Sequence, residues 1–589
     1  MNLRHWLYEP ELRIFYPEIV ALVDDSRWDE IEDAFATHLV VGTGGIRGRL
    51  GPGPNRINQR TICEAAQAVS YLIEDLGPDF KSTGVVIGYE VRRQSEEFAI
   101  ASCEVFAARG IRSYLFDGIR ATPEVSFAVR HISVVAGVQI TASHNPRTDN
   151  GFKFYWSDGG QITPPHDARF MELVGNSGEI RRIPINQAIG LGLVSFIGHD
   201  VDRAYIKAVC GLSTINSRSA KIVFSPIHGA GTTNVLKVLR EEKFDVNVVS
   251  EQADPDEDFP TAVDGIINPE YPEVMELPIA MASDIGADIA ICSDPDADRI
   301  GVAAKVDLRS CNMRLLSGNQ VGVVLAHYLL SHRKNNGSLI GDEVVLETLV
   351  TTSLIADIAR RFGLIPRDDL LVGFKFIAEA IGELDDISKF IFAAEESLGY
   401  LAGSFVRDKD AAIGSLLVCE MASWLKDRDA TVVMYLDEIY REYGYYNNTL
   451  LLVDLLGNIG IEIMTMVMVC LRNNPPVTLG GLVVLDIDDR LEDKSSFPDG
   501  YYPGGSTDVV SLYLSSDRRT RVTIRPSGTE PKLKIYLQHF GPVEGDLDEV
   551  KNFVDSKIDE IRVAILDYCR SILNKELLNQ WDTSHRRSI

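Results

Sequence analysis

The sequence predicts an α/β protein built from about four domains, and three observations support this class. The chain has 589 residues, which corresponds to four domains at about 150 residues each. An apolar run of strand length, a Gly/Ser/Asp-rich loop and a segment with helical spacing recur along it, which favours helices layered on largely parallel sheets. Such folds place their chemistry in loops beyond the carboxyl ends of strands, and the unusual motifs of this chain occur there.

The first predicted domain, residues 1–205, shows this pattern clearly. The segment 84–89 (GVVIGY) is typical of a buried strand, and 134–140 (VVAGVQI) is a second one that leads into the loop TASHNP. Before these strands, six apolar side chains fall on one helical face: Ala65, Ala68, Val69, Leu72, Ile73 and Leu76. We therefore expect a helix packed against a sheet.

Two further domains are predicted to repeat this architecture. The second, residues 206–316, includes KIVFSP and closes with DIAICSDPDADR, and the third, residues 317–450, includes KFIFAAEESLGY. Residues 451–589 differ, because short strands with turn-rich loops precede one amphipathic helix, which predicts a smaller α+β domain. The polar C-terminus, WDTSHRRSI, is expected to be disordered.

Composition excludes several classes of partner. The formal net charge of −27 opposes binding to nucleic acids and anionic lipids, whose phosphates are held by dense Lys/Arg surfaces. No apolar run reaches the roughly 18 residues of a membrane span, and Glu and Pro interrupt the N-terminus where a signal peptide would be apolar. The eight cysteines lie far apart without a CxxC pair, which favours buried free thiols. We expect a cytoplasmic protein that binds neither nucleic acid nor membrane.

The segment 141–156 (TASHNPRTDNGFKFYW) is the most specific motif. Ser143 follows a strand end and is flanked by His144, an Asn and a Pro, where backbone turns expose a hydroxyl, so it is a candidate nucleophile. Lys153 supplies a cation that can hold phosphate charge or pass a proton. An ordinary turn with a structural histidine is the alternative interpretation of these residues.

The segment 293–301 (SDPDADRIG) predicts a site for a hard cation. Three carboxylates alternate after an apolar strand: Asp294, Asp296 and Asp298. An EF-hand is rejected, because the sixth position is Arg299 instead of Gly and the twelfth is Lys305 instead of Glu. Mg²⁺ suits the loop, since it accepts a few carboxylates together with a phosphate oxygen. A solvated acidic turn is the alternative.

Three other segments carry groups for a sugar phosphate. AEESLGY (394–400) places two carboxylates and a serine at a strand end, where they can bond to vicinal hydroxyls, and GTGGIRG (42–48) adds Arg47. IRPSGTEPKLKIY (524–536) holds the components of a phosphate cradle without a Walker A pattern: Arg525, Ser527, Gly528, Thr529 and Lys532. Each segment alone is compatible with an ordinary polar turn, but the serine, metal, sugar and phosphate loops together outline one cleft.

These motifs, in this order, closely resemble the hallmarks of the α-D-phosphohexomutase superfamily: a TASHNP serine loop, a DPDADR metal loop, an EES-type sugar loop and a RPSGTEP phosphate loop. The resemblance spans nearly the whole chain. It implies four domains around a central cleft, the first three sharing a mixed α/β/α layered fold. It also implies that Ser143 is phosphorylated in the resting enzyme and that its phosphate oxygen completes a Mg²⁺ site with Asp294, Asp296 and Asp298.

The same resemblance implies the remaining roles. Arg47, His144 and Lys153 match residues around the reacting phosphate, with Lys153 as the proton-transfer candidate. Phospho-Ser143 would donate to the free hydroxyl of a sugar monophosphate, and the bisphosphate would reorient and return its other phosphate, a catalytic trace of sugar 1,6-bisphosphate acting as activator. The implied substrate-binding residues are Arg299, Lys375, Glu395, Glu396, Ser397, Arg525, Ser527, Gly528 and Thr529.

The context of the motifs looks like the long phosphoglucomutase and phosphopentomutase branch, which implies exchange between glucose 1-phosphate and glucose 6-phosphate by a monomer or homodimer. Pentose and mannose phosphates stay open as substrates, and a sugar-bisphosphate synthase would retain the same loops. Two interpretations from other functional classes are a catalytically inactive protein that binds sugar phosphates and a calcium-binding protein. The chain has Glu90 where the family often has Asp and Gly44 where it often has Ser, but neither is the nucleophile or a metal ligand.

Overall fold

The computed structural model describes residues 3–42, 44–455, 457–491, 507–527 and 532–588. The chain divides into two compact units. The first comprises Met1–Leu316, Phe374–Ile391 and Gly399–Asp429, and the second comprises Ser317–Gly373, Phe392–Leu398 and Ala430–Ile589. The predicted third domain thus contributes to both units, and the four predicted domain boundaries stay a prediction. Within the described residues, no helix combines the length and the apolar character needed to cross a bilayer.

The first unit begins with three helices and a seven-stranded sheet. The helices up to the sheet's last strand are α1 (Leu3–Tyr8), α2 (Tyr16–Asp24), α3 (Trp28–Ala36), α4 (Gln59–Leu76), α5 (Pro78–Thr83), α6 (Ser95–Ala108), α7 (Thr122–Ile132), α8 (His166–Gly175) and α9 (Ile185–Gly190). The strands are β1 (Val41–Gly42), β2 (Gly45–Arg49), β3 (Val85–Tyr89), β4 (Ser113–Phe116), β5 (Ala136–Ile140), β6 (Asp149–Trp156) and β7 (Val194–Ile197). They lie in the order β1-β2-β6-β5-β3-β4-β7.

This sheet accounts for the position of the serine motif. Strands β3, β4, β5 and β7 pair in parallel, whereas β6 returns antiparallel to β5 and pairs with β2. The predicted strands 84–89 and 134–140 correspond to β3 and β5, and both are fully buried because α6 and α7 pack against them. Helix α4 starts at a capping box in which Asn58 and Thr61 bond reciprocally. Because β5 is the middle strand of the sheet, the serine loop leaves the sheet at the carboxyl end of a central strand.

The second sheet of the first unit carries the metal motif. Its elements are α10 (His199–Cys210), β8 (Lys221–Ser225), α11 (Val235–Glu241), β9 (Asp245–Val248), α12 (Pro272–Ile285), β10 (Ile289–Ser293), β11 (Ile300–Lys305) and β12 (Met313–Leu316). The order is β12-β11-β10-β8-β9, with β8, β9 and β10 parallel. Strand β10 is buried throughout, and β11 returns antiparallel to it. The acidic segment 294–299 is the turn between these two strands.

The second unit contains helices, a parallel strand pair and an antiparallel sheet. Its first part holds α13 (Gly318–Asn335), β13 (Val344–Thr348), α14 (Ser353–Arg361) and β14 (Arg367–Leu370), and β13 pairs with β14 in parallel. The chain then forms α15 (Phe374–Gly382), β15 (Phe390–Glu395), β16 (Gly399–Ala402) and α16 (Ala411–Lys426), of which α15, β16 and α16 belong to the first unit. Helix α17 (Val432–Tyr443) continues the second unit.

The last part of the second unit is an antiparallel sheet with long helices, as predicted for an α+β region. It holds β17 (Tyr445–Asp454), α18 (Gly457–Asn473), β18 (Thr478–Leu479), β19 (Leu482–Val483), β20 (Asp486–Asp489), β21 (Val510–Tyr513), β22 (Arg521–Pro526), β23 (Lys532–Gly541), α19 (Leu547–Ser571), α20 (Lys575–Thr583) and β24 (His585–Ser588). The six-stranded order is β20-β21-β22-β23-β17-β24. The expectation of a disordered C-terminus is wrong, because β24 pairs with β17 and Trp581 is fully buried.

Candidate active site

Ser143 occupies a strained turn just after β5. Its φ is +54°, a left-handed conformation that is uncommon for a residue with a side chain. The turn is held locally, because the Ser143 amide donates to Thr141 Oγ1 at 2.7 Å. The side chain is fully buried, with Oγ 3.0 Å from Asp294 Oδ2 and 3.3 Å from His144 Nδ1. The structure thus brings the predicted nucleophile and the predicted metal loop together.

Arg92 fixes the rest of the serine loop. It is 2% exposed, and Nε donates to Glu90 Oε1 at 2.6 Å. Its two terminal nitrogens donate to four carbonyl oxygens of the loop, those of Ser143, Asn145, Pro146 and Asp149, at 2.5–2.8 Å. Burial raises the pKa of Glu90 to about 7 despite the opposing charge of Arg92. The sequence showed Glu90 where the resembled family often has Asp, but it did not reveal that Arg92 fixes the serine loop.

The three predicted metal ligands converge between β10 and β11. Asp294, Asp296 and Asp298 are fully buried, and one carboxylate oxygen of each lies within 4.8 Å of the others. Asp294 Oδ1 accepts from the amides of Asp298 at 3.1 Å and Arg299 at 3.0 Å, which fixes the turn. Burial and the charges of Asp296 and Asp298 raise the pKa of Asp294 well above its usual range.

Two buried lysines balance this carboxylate cluster. Lys153 Nζ donates to Asp296 Oδ2 at 2.7 Å and to Asp298 Oδ2 at 2.9 Å, and Lys409 Nζ lies 3.0 Å from the same Asp298 oxygen. Burial alone would raise the pKa of Asp296, but Lys153 and the hydrogen bonds that the carboxylate accepts outweigh it and hold that pKa well below its usual range. The first of these lysines was predicted. Sequence reasoning missed Lys409, although it lies in the charged segment FVRDKDA.

The carboxylate cluster fits a divalent cation. Asp296 Oδ1 and Asp298 Oδ1 are buried and accept no hydrogen bond from any described residue, with Arg299 Nε 3.6 Å from the latter oxygen. Buried oxygens without partners are costly in an empty protein interior but are what a cation requires. Three carboxylates in one turn are hard oxygen ligands of the kind that Mg²⁺ takes.

Two other predicted residues of the first unit, Arg47 and Lys375, bond to side chains outside this cluster. Arg47 bonds to Asn145 Oδ1 at 3.3 Å, and burial and the charge of Arg299 lower its pKa. Lys375, on α15, is 6% exposed and pairs with Asp167 Oδ2 at 3.0 Å. This lysine also lines a small pocket with Gly42, Gly45, Phe152, Phe154, Gln161, Ile162 and Phe170.

The predicted sugar loop lies at the end of β15, in the second unit. Glu395 is 5% exposed, whereas Glu396 and Ser397 are partly buried. The loop turns tightly, with φ of +65° at Leu398, and it contacts the start of α13: a Cβ on Gly318 would lie 1.9 Å from the Glu396 carbonyl oxygen. The absence of a side chain at position 318 therefore allows this loop to sit where it does.

The predicted phosphate loop follows β22. Arg525 is 4% exposed, and its Nε is buried without a hydrogen-bond acceptor among the described residues. The Ser527 amide donates to the Lys532 carbonyl at 2.8 Å, which closes the loop across β22 and β23. Gly528 and Thr529, also predicted for this site, lie outside the described residues. A buried guanidinium edge without an acceptor is suited to an anionic ligand.

Comparison with known proteins adds an independent line of evidence. The chain matches family models described as phosphoglucomutase/phosphomannomutase alpha/beta/alpha domain I over residues 38–180, domain II over 203–307 and domain III over 317–443. It is similar to a phosphoglucomutase of Staphylococcus haemolyticus (strain JCSC1435), with 35% identity over 518 residues that cover 86% of this chain and 91% of the relative. The matches confirm the α/β/α architecture predicted for the first domains.

Solved structures are similar to the chain in fold. A putative phosphomannomutase from Thermus thermophilus superposes with a TM-score of 0.64 at 21% identity, covering 90% of this chain and 99% of the other. The exocytosis-sensitive phosphoprotein pp63/parafusin of Paramecium, in its open form, gives a TM-score of 0.63 at 17% identity, covering 90% and 96%. At these identities the likeness establishes a shared fold.

Proposed function

Because the chain belongs to the phosphoglucomutase/phosphomannomutase family, we propose that it interconverts glucose 1-phosphate and glucose 6-phosphate through a phosphorylated Ser143. One observation carries the mechanism: the Ser143 hydroxyl lies 3.0 Å from Asp294 inside a buried cluster of carboxylates and lysines. The substrate follows the relative from Staphylococcus haemolyticus, which is named a phosphoglucomutase and is 35% identical. Mannose and pentose phosphates are the alternative substrates of the same chemistry.

In the proposed cycle, Ser143 is the phosphate carrier. The bond between phosphorus and Ser143 Oγ breaks as a bond to the free sugar hydroxyl oxygen forms, and Oγ regains a proton. We assign that proton to the Lys153 ammonium, which is buried against Asp296 and Asp298. The proton that the sugar hydroxyl gives up returns Lys153 to its ammonium form, so the transfer causes no net change in protonation. The reverse transfer, from the other end of the bisphosphorylated sugar, restores phospho-Ser143. No nucleotide is consumed, and a catalytic trace of sugar 1,6-bisphosphate keeps the serine phosphorylated.

The carboxylate cluster is the proposed Mg²⁺ site. Asp294, Asp296 and Asp298 would hold the ion together with a phosphate oxygen on Ser143, and the two buried Oδ1 atoms without partners support this assignment. When bound, Mg²⁺ neutralises charge on the phosphoryl oxygens during transfer. The protein itself contributes alignment, through the Arg92 anchor of the serine loop, and exclusion of water, through complete burial of the reacting hydroxyl.

The remaining roles are proposed for residues of both units. Arg47, His144 and Arg299 would hold the reacting phosphate, and Arg525 with Ser527 would hold the other one, supported by the buried Arg525 Nε without an acceptor among the described residues. The further substrate residues of this proposal are Lys375, Glu395, Glu396, Ser397, Gly528 and Thr529. The eight cysteines are free, which supports a reducing compartment such as the cytoplasm. We propose action there as a monomer or homodimer on small-molecule sugar phosphates.

The decisive experiment is a coupled assay with Mg²⁺ and a trace of glucose 1,6-bisphosphate. It compares the 1-phosphates of glucose, mannose, glucosamine, ribose and deoxyribose at matched concentration. We expect the glucose compound to have the highest kcat/KM. A higher kcat/KM for another sugar phosphate would identify that compound as the preferred substrate and leave the proposed mechanism unchanged. Accumulation of a bisphosphorylated sugar without isomerisation would favour a synthase.

Replacing Ser143 tests the carrier directly. We expect Ser143→Ala to lower kcat by at least about three orders of magnitude, because it removes the proposed phosphate carrier. The fold should persist, since the Ser143 hydroxyl contributes about 1 kcal/mol through its bond to Asp294. Intact mass spectrometry should find the phosphorylated form in the wild type and not in the variant. Turnover near the wild-type rate would refute the phosphoserine mechanism.

A further inference from the structure

Thr122 contacts one residue of the carboxylate cluster twice. It is the first residue of α7 and is fully buried. Its amide donates to the Asp296 carbonyl at 2.9 Å, and its hydroxyl donates to Asp296 Oδ2 at 2.6 Å. The amides of a first helical turn have no partner within the helix, so this contact also satisfies the start of α7. A helix of the serine domain is thereby joined to the turn that holds the proposed cation.

The two oxygens of Asp296 are used differently. Oδ2 accepts from the Thr122 hydroxyl and from Lys153 Nζ, whereas Oδ1 is buried and accepts nothing from the described residues. The terminal torsion of an aspartate is broad and nearly two-fold, so the side chain does not itself fix the plane of the carboxylate or the direction that its second oxygen faces. A donor held in a fixed position beside one oxygen sets that orientation.

The Thr122 hydroxyl is a more rigid donor than the lysine. Lys153 Nζ ends a flexible four-carbon stem and divides its bonds between Asp296 and Asp298. The threonine hydroxyl lies one bond from a β-branched carbon with restricted χ1, and its backbone is held by the same aspartate. The hydroxyl therefore orients the Asp296 carboxylate along one direction, at 2.6 Å.

We propose that Thr122 is a positioning residue of the cation site: its hydroxyl occupies Asp296 Oδ2 and leaves Oδ1 turned toward the ion. This inference rests on the proposed Mg²⁺ site and assigns to it a residue outside the acidic loop. Partners that orient metal ligands typically contribute about 10–100-fold in metal affinity. The role of Thr122 should therefore appear in the Mg²⁺ dissociation constant even when no sugar phosphate is present.

The test compares three variants of the full chain with the wild type. Thr122→Val keeps the shape and the backbone amide but removes the donor, and Thr122→Ser restores a hydroxyl. Ser102→Ala is the matched control, because Ser102 is also a fully buried helical residue, but its hydroxyl bonds at 2.8 Å to the Phe98 carbonyl of its own helix. Calorimetry with MgCl₂ gives the dissociation constant at matched Ser143 phosphorylation, which intact mass verifies.

We expect Thr122→Val to raise the Mg²⁺ dissociation constant about tenfold or more, with Thr122→Ser and Ser102→Ala within about twofold of the wild type. The Mg²⁺ dependence of activity should shift by the same factor toward the same plateau. Melting in EDTA checks the fold, and if the valine variant fails to fold, Thr122→Ala replaces it with the same expectation.

Two results would overturn the proposal for different reasons. Equal dissociation constants for Thr122→Val and the wild type, or an equal loss in Thr122→Ser, would remove the role of the hydroxyl while leaving the cation site in place. Lack of saturable Mg²⁺ binding by the wild type would overturn the cation site itself and the role of Thr122 with it.

Discussion

The two regions proposed to bind phosphate satisfy their charges differently. In the first unit, the carboxylates beside Ser143 are paired with Lys153 and Lys409 of the same chain, at 2.7–3.0 Å. In the second unit, the guanidinium of Arg525 is buried and its Nε has no acceptor among the described residues. The first region therefore pairs part of its charge internally but keeps two buried carboxylate oxygens without a hydrogen bond from the described residues, whereas the second keeps one buried donor atom without an acceptor among them.

This difference follows from what each region must do. Three buried carboxylates in one turn repel one another, so the serine region needs nearby cations to remain folded whether or not a ligand is bound. A clamp that takes up and releases a phosphate in each cycle gains from a donor that no internal carboxylate occupies, because the ligand then does not displace an existing bond. A variant that removes one charge should therefore mainly lower stability in the first region and mainly weaken substrate binding in the second.

The largest effect is expected for Lys153→Met. It removes a buried cation from Asp296 and Asp298, and breaking such a pair costs about 3–5 kcal/mol of stability. Loss of the proposed proton donor should also lower kcat by about 10²–10⁴-fold. Thermal melting and steady-state kinetics measure the two effects. Mg²⁺ should recover part of the lost stability by binding the folded state.

Lys305→Met is the matched control for this variant. Lys305 also pairs with an aspartate, Asp288, but at 3.6 Å and with 18% of each side chain exposed. Such pairs contribute at most about 1 kcal/mol, so its melting temperature and kcat should stay close to those of the wild type. If Lys153→Met melted with the wild type in EDTA, the carboxylate cluster would not depend on internal pairing and the comparison between the two regions would fail.

A smaller and different effect is expected for Arg525→Gln. The variant should lose less stability than Lys153→Met, because Arg525 Nε donates no hydrogen bond to a described residue, although the charge of Arg525 does act on Asp508. Its KM should rise about 10–100-fold, since a charge-assisted bond to phosphate is worth about 1.5–3 kcal/mol. Arg525→Lys should recover only part of this, because an ammonium lacks the two-pronged geometry of a guanidinium.

Arg518→Gln serves as the control in the second unit. Arg518 lies nearby in sequence but is 58% exposed and pairs with Asp486 at the surface. Its replacement should change neither KM nor the melting temperature beyond experimental error. A large loss of stability in Arg525→Gln would show that this guanidinium is a structural group and would contradict its assignment as an open clamp.

The sequence was sufficient to predict where the candidate loops lie in the fold. Ser143 and the three aspartates lie in short loops that directly follow apolar strands, so both their identity and their position at the carboxyl ends of strands are readable from the linear pattern, whereas Lys153 lies within β6. The α/β class followed from the same alternation of strands and helices. Features that depend on residues close together in the sequence were therefore predictable.

The partners of these loops were not predictable, because they come from distant segments. Nothing near Thr122 or Lys409 in the sequence indicates that they meet Asp296 and Asp298, which lie more than 100 residues away along the chain. The C-terminus shows the same limit: its polar composition suggested disorder, but pairing of β24 with β17 satisfies its backbone. Tertiary contacts decided these cases, and local composition did not.

A pH-dependent effect is expected in the anchor of the serine loop, and it sharpens the idea of internal pairing. Glu90 is buried against Arg92 and Thr141, and its pKa rises from 4.5 to about 7, chiefly because burial disfavours the charged form. A carboxyl whose pKa is raised by folding stabilises the folded state below its unfolded pKa, and this contribution is lost as pH rises through the folded value. The shift corresponds to about 3 kcal/mol.

Glu90→Gln removes this titration while keeping an oxygen that can accept from Arg92 and Thr141. Its melting temperature should therefore rise relative to that of the wild type as pH increases from 5 to 8, when both are compared in the same buffers without Mg²⁺. Glu97→Gln, on the exposed face of α6, is the control and should follow the wild type at every pH. If the melting temperatures of Glu90→Gln and the wild type instead changed in parallel with pH, ionising the buried Glu90 would cost no stability. The charge of Glu90 would then be fully compensated by Arg92, and internal pairing in the first unit would extend to the anchor of Ser143.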